Sequence, residues 1–578
     1  MDSRLQPVLA LTQRWAPSIV LSLLFGIGVL SCPSCLGAGD WDFFTAQATA
    51  AHHAVFDYGQ LPLWNPYHCG GASLIDSFQA RVFAPSFGFT MLFGPFLGNR
   101  IWWIVILALG IEGSRRFAAS VGAGRWGTWL CALTVCCNGS VALHVAAGHL
   151  GLVTVVLLPW VFLGMNQSLT HGNRGWVSAA LWSAVILLEG GLQVFVLGSL
   201  LVGSWVVYES VRSRQARPLQ VAAGTVLLAV GLSAILLLPA GLLLAGLNRG
   251  ALPAEAIPPS ALFDIFLAPN QNSGGRTRFA GQIWWWHEYG TYLGPVLLAA
   301  LAAGAGIAKR QALPWLVLGF LFLWTGLGDT GLVNPWTALH QLPVFSKIRV
   351  CSRMFLYMTI CWGIAASLGF DKLGRWALPT LVLIAGNLLW LQFPILSGAF
   401  TQQDGALGAA SDVLRQPFTQ RAYLGHRESM SREHRASSTL DVLANRGDLH
   451  CYDPAAPRLF ARQLWPQAGE VAVAVPDGAP AAKARIVQWT PSSVTIEAVG
   501  LASPGLLVWN MNYHPSWQSH DGRPLVTPMG LIGMNVTPDA PRLTFEFRPV
   551  ALVFGALISL LSLLIAMRLL RPATVPKD

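Results

Sequence analysis

Charge is what this sequence has least of. Asp, Glu, Lys and Arg make up 11% of 578 residues, against about 25% in a soluble domain, and that scarcity excludes an ordinary soluble globular chain. The charge present is lopsided, 37 basic against 27 acidic groups. No basic tract of the kind that grips nucleic acid occurs, so nucleic acid is not expected as a partner. Of nine cysteines, only Cys32-Pro33-Ser34-Cys35 has a metal-like or redox-like spacing, and it lacks the strand–helix–strand context of a redox motif. Cys131, Cys136 and Cys137 fall in an apolar run and read as small core residues. No solenoid repeat is visible.

What the chain has is apolar length. Hydrophobic residues make up 53% and the mean hydropathy is +0.51, which points to a polytopic α-helical membrane protein. With about 20 apolar residues per span, the sequence reads as about twelve transmembrane helices. They begin near Ala16, Gly98, Trp126, Leu150, Gly175, Gly191, Leu219, Thr291, Ala312, Met354, Trp376 and Val550. The stretch Phe87 to Phe96, before the second span, reads as re-entrant or interfacial. The N-terminal segment resembles a secretory signal, but the many spans that follow favour a retained anchor.

Placing the N-terminus in the cytoplasm puts Arg4, Arg14, Arg115, Arg116, Arg125, Arg174, Arg212, Arg214, Arg217, Lys309, Arg310, Lys372, Arg375 and the basic tail on one face. That is the bias that sets topology. The opposite face then receives the polar loops Gly39–Pro85, His144–His149, Glu189–Gly190, Asn248–Gly290 and Gly328–Arg353. Residues 1–394 form the transmembrane domain with a large first outer loop at 38–84. Residues 395–547 form an extracytoplasmic domain, β-rich from about 455, and residues 548–578 a final helix and cytoplasmic tail. Strands are expected at Ala484–Trp489, Ser493–Ala498, Gly505–Trp509 and Arg542–Phe547 from their alternation. Asp521-Gly522 is a turn signal, and Thr401 to Asn445 reads as a linker or lid.

The first outer loop opens on two acids, Asp40 and Asp42, at the membrane exit. A carboxylate there suits a catalytic base or a divalent-metal ligand for a lipid-linked substrate's head group. An Asp before Phe43-Phe44 equally suits a helix N-cap, and both readings stay open. His52 and His53 lie in an amphipathic stretch along the interface, and His53 joins the candidate site. Trp64 and Asn65, in the rigid Leu61-Pro62-Leu63-Trp64-Asn65-Pro66-Tyr67, and Gln79 are further substrate-binding candidates. His144 and His149 flank a short outer turn, and His149 is the one carried into the site. Glu189 shares a helix face with Gln193 at i, i+4 spacing, and an acid at a membrane boundary is a candidate by default. Glu288 follows Trp284-Trp285-Trp286-His287, a cluster that also suits an interfacial belt. Lys347, Arg349 and Arg353 stand on the outer side against the positive-inside trend. Guanidinium forks bind phosphate bidentately, although such residues also anchor helix ends.

These pieces together resemble a known family. Gly39-Asp40, the LPLWNPY run, Gly70-Gly71, Gln79 and Pro85 look like the first outer loop of YfhO-like bacterial membrane proteins. His287-Glu288-Tyr289-Gly290, Tyr292-Leu293-Gly294 and the segment Phe345 to Arg353 continue the match in order. So do Leu507-Val508, Tyr513-His514-Pro515-Ser516-Trp517 and Phe545-Glu546-Phe547-Arg548-Pro549. The sequence departs from the family at Cys351, where Pro is usual, and at Ser516, where Gly is usual.

That family is similar to the GT-C superfamily of integral-membrane glycosyltransferases. The resemblance implies an inverting transfer of a sugar from a polyprenyl-phosphate donor to a cell-envelope glycan, glycolipid or polymer at the outer face of the bacterial cytoplasmic membrane. It implies Asp40 as the catalytic carboxylate of the first loop, with Asp42 as its alternate; Glu288, a second acid on the outer face, is a further catalytic candidate from the residues themselves. A divalent metal, Mg or Mn, would be held by Asp40 or Asp42. Arg349 and Arg353 would face the leaving phosphate. The alternative is a transporter or flippase, or a non-catalytic assembly protein, for lipid-linked saccharides.

Overall fold

The computed structural model describes residues 6–37, 39–171, 174–245, 255–271, 279, 282–331, 334–401, 418–420, 438–447, 470–520, 522, 524–527 and 530–571. Apolar runs become helices because only a helix satisfies its own backbone groups away from water. A helix begins within a few residues of the expected places, except the first, where Gln6–Gly26 starts well before Ala16. By length and apolarity, however, seven described stretches qualify as membrane spans, or eight if the pair Arg217–Leu232 and Ala234–Leu242, bent by 77°, counts as one. The shortfall against twelve has local causes. Gly175–Leu188 has only 14 residues, Lys309–Gly326 begins on Lys-Arg-Gln, and Met354–Ser397 is one stretch of 44 residues interrupted by the 3-10 turn Asp371–Trp376.

The region before the second span is a short helix in its own right. Pro85–Ser120 leaves helical geometry at Gly94 (φ 77°, ψ 164°), immediately before Pro95, which cannot donate to the preceding turn. Met354–Phe370 is the central helix, with Phe355, Tyr357 and Cys361 fully buried. Leu383, Trp390 and Leu561 remain largely exposed on the outside of the bundle, an apolar surface of the kind lipid covers. The final helix, Val550–Leu570, lies against Ala234–Ala245, where the Ile235 N–H donates to Ser559 Oγ at 2.9 Å.

The C-terminal region forms two four-stranded antiparallel sheets. One runs in the order Leu525–Val526, Leu531–Val536, Gly505–Asn512, Val471–Ala474, and the other Trp517–Ser519, Arg542–Phe547, Ser493–Val499, Lys483–Thr490. Alternation turns Leu507, Trp509 and Ile532 of the first sheet, and Ile496, Leu543 and Phe545 of the second, into a shared core. Asp521 of the expected turn, and most of the stretch from Thr401 to Asn445, lie outside the described residues.

This sandwich packs on the first loop rather than standing apart from it. Trp64 is buried against Trp517, Phe547 and His514, and its indole N–H points at Met511 Sδ, 3.4 Å away. Asn512 Nδ2 donates to the carbonyls of Cys69 and Gly71, and His514 Nε2 lies 3.3 Å from Asp76 Oδ2.

Candidate active site

The site is built where the chain leaves its first helix. Cys32 and Cys35 form a disulfide that closes the turn. Arg100 is buried beneath it, donates to the carbonyls of both cysteines, and lies over the Phe400 ring at 4.0 Å. Leu36–Gly37 pairs antiparallel with Phe400–Thr401. Gly39, at φ +64°, turns the chain into the helix Asp40–Phe56.

A second helix end is locked against this one. Asn138 caps Gly139–Ala147, its side chain accepting from the Val141 N–H at 3.2 Å. Trp41 Nε1 donates to the Val145 carbonyl at 2.6 Å. Gly148 ends the helix in the left-handed conformation at φ +87°, and a Cβ there would sit 2.4 Å from the Trp41 backbone N. Only glycine permits both the φ and the approach. His149 is thereby delivered to Asp40.

Seven polar side chains from different parts of the chain converge here. His149 Nε2 lies 3.3 Å from Asp40 Oδ2, and its Nδ1 lies 3.9 Å from Glu288 Oε1. The same Nδ1 is 2.9 Å from His144 Nδ1. Arg353 holds Glu288 with both sides of its fork, Nε to Oε2 at 2.8 Å and a terminal N to Oε1 at 2.5 Å. Its other terminal N donates to Gln193 Oε1. His287 Nε2 stands 3.9 Å from Glu288 Oε1, with its ring edge-on to His149. Exposure grades across the cluster: the side chain of Glu288 is 4% exposed, His149 15%, Arg353 19% and Asp40 24%. Asp40 is the more exposed carboxylate, and Glu288 is the one fixed by its neighbours.

The elements supplying Glu288 and Arg353 are tied to the same scaffold. The Gly139 N–H donates to the Tyr292 carbonyl at 2.9 Å, which sets the short helix Trp286–Tyr289 against Gly139–Ala147. Beneath it, Glu255 accepts from the Tyr289 hydroxyl and from the Cys351 N–H. Burial pushes the Glu255 carboxyl above its ordinary range, opposed by these hydrogen bonds. The Cys351 thiol also lies 3.3 Å from the Glu255 carboxylate.

Of the residues singled out from sequence, Asp40, His149, Glu288 and Arg353 come together, with Gln193 joining them. Asp42 does not. Its carboxylate accepts from the Ser438 and Thr439 N–H groups at 2.7 and 3.2 Å, so it caps Ser438–Leu443 rather than its own helix. Asn65 closes a local turn, accepting from the Tyr67 N–H at 3.0 Å, and Gln79 is exposed. His53 is buried, 4.0 Å from Asp57 Oδ2, and burial pulls its pKa to about 4, leaving it neutral at pH 7. Glu189 is buried in a separate polar knot. It accepts from the Ser86 N–H at 2.8 Å, and burial raises its pKa while the Arg81 guanidinium opposes that shift. Arg81 itself donates to Asn99 Oδ1 at 3.1 Å. Arg349 is half-buried and forms no ion pair with another described residue.

Sequence reasoning passed over Arg100, Glu255 and the partnership of His144 with His149. An arginine within an apolar run is a readable signal by itself. The His144–His149 contact is not, because it depends on the reversal at Gly148.

No family model matches the sequence, and comparison with curated proteins gives no match. Among solved structures the chain is similar to the arabinofuranosyltransferase AftD from Mycobacteria, at 14% identity and a TM-score of 0.46, over 93% of this chain and 40% of that one. A mutant form of the same enzyme gives 14% identity and a TM-score of 0.40, over 67% of this chain and 28% of that one. The chain thus spans less than half the length of the proteins it matches. A likeness of that degree speaks to neither site nor substrate.

Proposed function

We propose that this chain is a GT-C-type glycosyltransferase of the bacterial cytoplasmic membrane, taking a sugar from a polyprenyl-phosphate donor and passing it to a cell-envelope acceptor on the outer face. The observation that carries the reading is Asp40, partly open to solvent at the exit of the first helix and paired with His149, in the same cluster as Glu288 and Arg353. In this reading Asp40 accepts the proton of the acceptor hydroxyl. The hydroxyl oxygen bonds to the anomeric carbon as the bond from that carbon to the lipid phosphate breaks, and the phosphate leaves with the electron pair. One displacement inverts the anomeric centre.

Arg353 is better suited to fixing Glu288 than to gripping the donor, since all three of its nitrogens are engaged. Arg349, which forms no ion pair among the described residues, is the cation left for the leaving phosphate. An outward-facing site is supported by the disulfide at Cys32–Cys35 and by Cys69, which is also disulfide-bonded. Both belong to the loop side that carries Asp40, whereas Cys131, Cys136 and Cys361 are free and buried within helices, and Cys137 and Cys351 are free and buried near helix ends. Disulfides persist in oxidising compartments. The transport alternative calls for working charges inside the spans. Glu112 is such a charge, but Arg115, Arg116 and Ser18 already hold it at 2.7 to 2.8 Å, which suits a structural ion cluster.

The test is Asp40→Asn assayed with a synthetic polyprenyl-phosphate sugar in reconstituted membranes. Transfer should be abolished at unchanged protein abundance. A variant with full transfer would overturn the assignment of the base. An envelope glycan profile of a deletion strain separates the alternatives: a missing sugar fits transfer, and an accumulated complete intermediate fits transport.

A further inference from the structure

His144, His149 and Glu288 each offer a ligand atom, and these atoms lie within 4.8 Å of one another. We propose that they form a binding site for one transition-metal dication of the zinc class, with Asp40 as the carboxylate that orients His149 rather than as a ligand. The proposal deepens the transferase reading by placing a cation within its site, and it differs from a magnesium site built on Asp40 and Asp42.

The geometry carries the assignment. Zinc binds imidazole nitrogen and carboxylate oxygen at about 2.0–2.2 Å, so tetrahedral ligands stand roughly 3.3–3.6 Å from one another. The observed separations bracket that range, with His149 Nδ1 2.9 Å from His144 Nδ1 and 3.9 Å from Glu288 Oε1. Two imidazole nitrogens facing each other at hydrogen-bond distance must share a proton or a cation. His144 is 1% exposed, so water does not serve this ring, and the Glu288 carboxylate beside the facing nitrogens supplies a third donor that a cation, unlike a shared proton, can use.

The outer contacts fit the same assignment. A metal-bound histidine characteristically donates its other N–H to a carboxylate, which fixes the tautomer. His149 presents Nε2 to Asp40 Oδ2 at 3.3 Å while Nδ1 faces the proposed centre. Arg353 does not close the site. It shares Glu288 Oε1, but that oxygen is also the one turned towards His149 and His287, and a carboxylate oxygen has two lone pairs. Charge favours a cation as well, since Asp40 and Glu288 together outweigh Arg353 by one negative charge. Magnesium and calcium prefer oxygen ligands, whereas two imidazoles and one carboxylate suit zinc and its neighbours. Asp42 is outside the set because backbone N–H groups occupy its oxygens.

The full chain, purified in detergent and stripped with a chelator, would be titrated with ZnCl2 against a chromophoric competitor, and separately with CoCl2 for visible ligand-field absorption. One zinc per chain is expected, with cobalt bands of a site containing nitrogen ligands. His144→Ala and His149→Ala should abolish both signals, while Asp40→Asn should keep the stoichiometry and weaken affinity about 10- to 100-fold. Absence of zinc binding by the wild-type chain, or equal binding by both His variants, would overturn the proposal. If a variant fails to fold, the wild-type titration still decides. Transfer is not needed as a readout: a chain that binds zinc and moves no sugar leaves the metal site standing and removes the transferase reading alone.

Discussion

Asp42 accepts hydrogen bonds from the backbone N–H groups of Ser438 and Thr439 at 2.7 and 3.2 Å, and its own carbonyl accepts from the Thr439 hydroxyl at 2.9 Å. The residue two places after the proposed base thus ties the first loop to a helix almost 400 positions away. Two acids that look alike in sequence are separated by function, one facing the polar cluster and the other capping a helix.

Asp42→Ala should therefore lower stability by about 0.5–2 kcal/mol, the cost of losing a cap. Asp42→Asn should cost less than Asp42→Ala, because the amide oxygen keeps one of the two acceptors while its NH2 group faces the other N–H. Thermal unfolding in detergent, alongside transfer by the protein that remains folded, tests this. A loss of turnover in Asp42→Asn without loss of stability would return Asp42 to the chemistry.

Gly148→Ala attacks the site through backbone alone. The left-handed conformation costs a non-glycine residue roughly 1–2 kcal/mol, and a Cβ 2.4 Å from the Trp41 N cannot be relieved by a side-chain rotation. The helix Asp40–Phe56 would have to move away from His149. A drop in melting temperature together with lost transfer is expected. Wild-type behaviour would show that the Asp40–His149 pairing does not depend on this contact.

The C-terminal β-rich region carries its own pH dependence. Glu470 accepts from the Gln420 N–H at 2.6 Å, its second oxygen has no partner among the described residues, and burial lifts its pKa to about 7. A carboxyl raised in the folded state favours folding fully below its unfolded pKa of about 4.3 and loses that contribution as pH rises through the folded value. The region should become less stable from pH 5 to pH 8, by an amount on the order of 3 kcal/mol. Glu470→Gln, which keeps the acceptor and removes the charge, should flatten the profile. Limited proteolysis at both pH values measures it, and an unchanged slope in the variant would refute the assignment.

How much of this was legible in sequence varies with the distance over which the deciding contact acts. Strands such as Arg542–Phe547 follow from alternation and turn chemistry within a few residues, and helix positions follow from apolar runs. The count by length and apolarity falls below twelve where a helix has a polar start or is short, as at Lys309–Gly326 and Gly175–Leu188. Within the site, Asp40 and Glu288 were visible as acids beside apolar runs. The separation of Asp40 from Asp42 was not, since it rests on Ser438 and Thr439 far along the chain. Trp64 and Asn65 read as substrate contacts because they sit in a conspicuous polar loop, yet the β-sandwich packs on Trp64 and Asn65 closes the local turn to Tyr67. No local pattern announces that cover.

Arg349 and Arg353, four residues apart, differ in their partners. Arg353 makes a bidentate pair with Glu288 and a further bond to Gln193, a geometry that the single ammonium of lysine cannot copy. Arg353→Lys should therefore lower thermal stability and disturb Glu288, costing about 1.5–3 kcal/mol as charged hydrogen bonds are lost. Arg349 forms no ion pair with a described residue, so Arg349→Lys should leave the melting temperature unchanged. If Arg349 meets the donor's phosphate, the same substitution should weaken donor use by about 1.5–3 kcal/mol, because two parallel N–H bonds are replaced by a point charge. Turnover against concentration of a synthetic polyprenyl-phosphate sugar, measured for the wild type and both variants, distinguishes these roles. Unchanged donor dependence in Arg349→Lys would leave the leaving phosphate without a cation from this segment. Unchanged stability in Arg353→Lys would show that the Glu288 pairing carries no structural load.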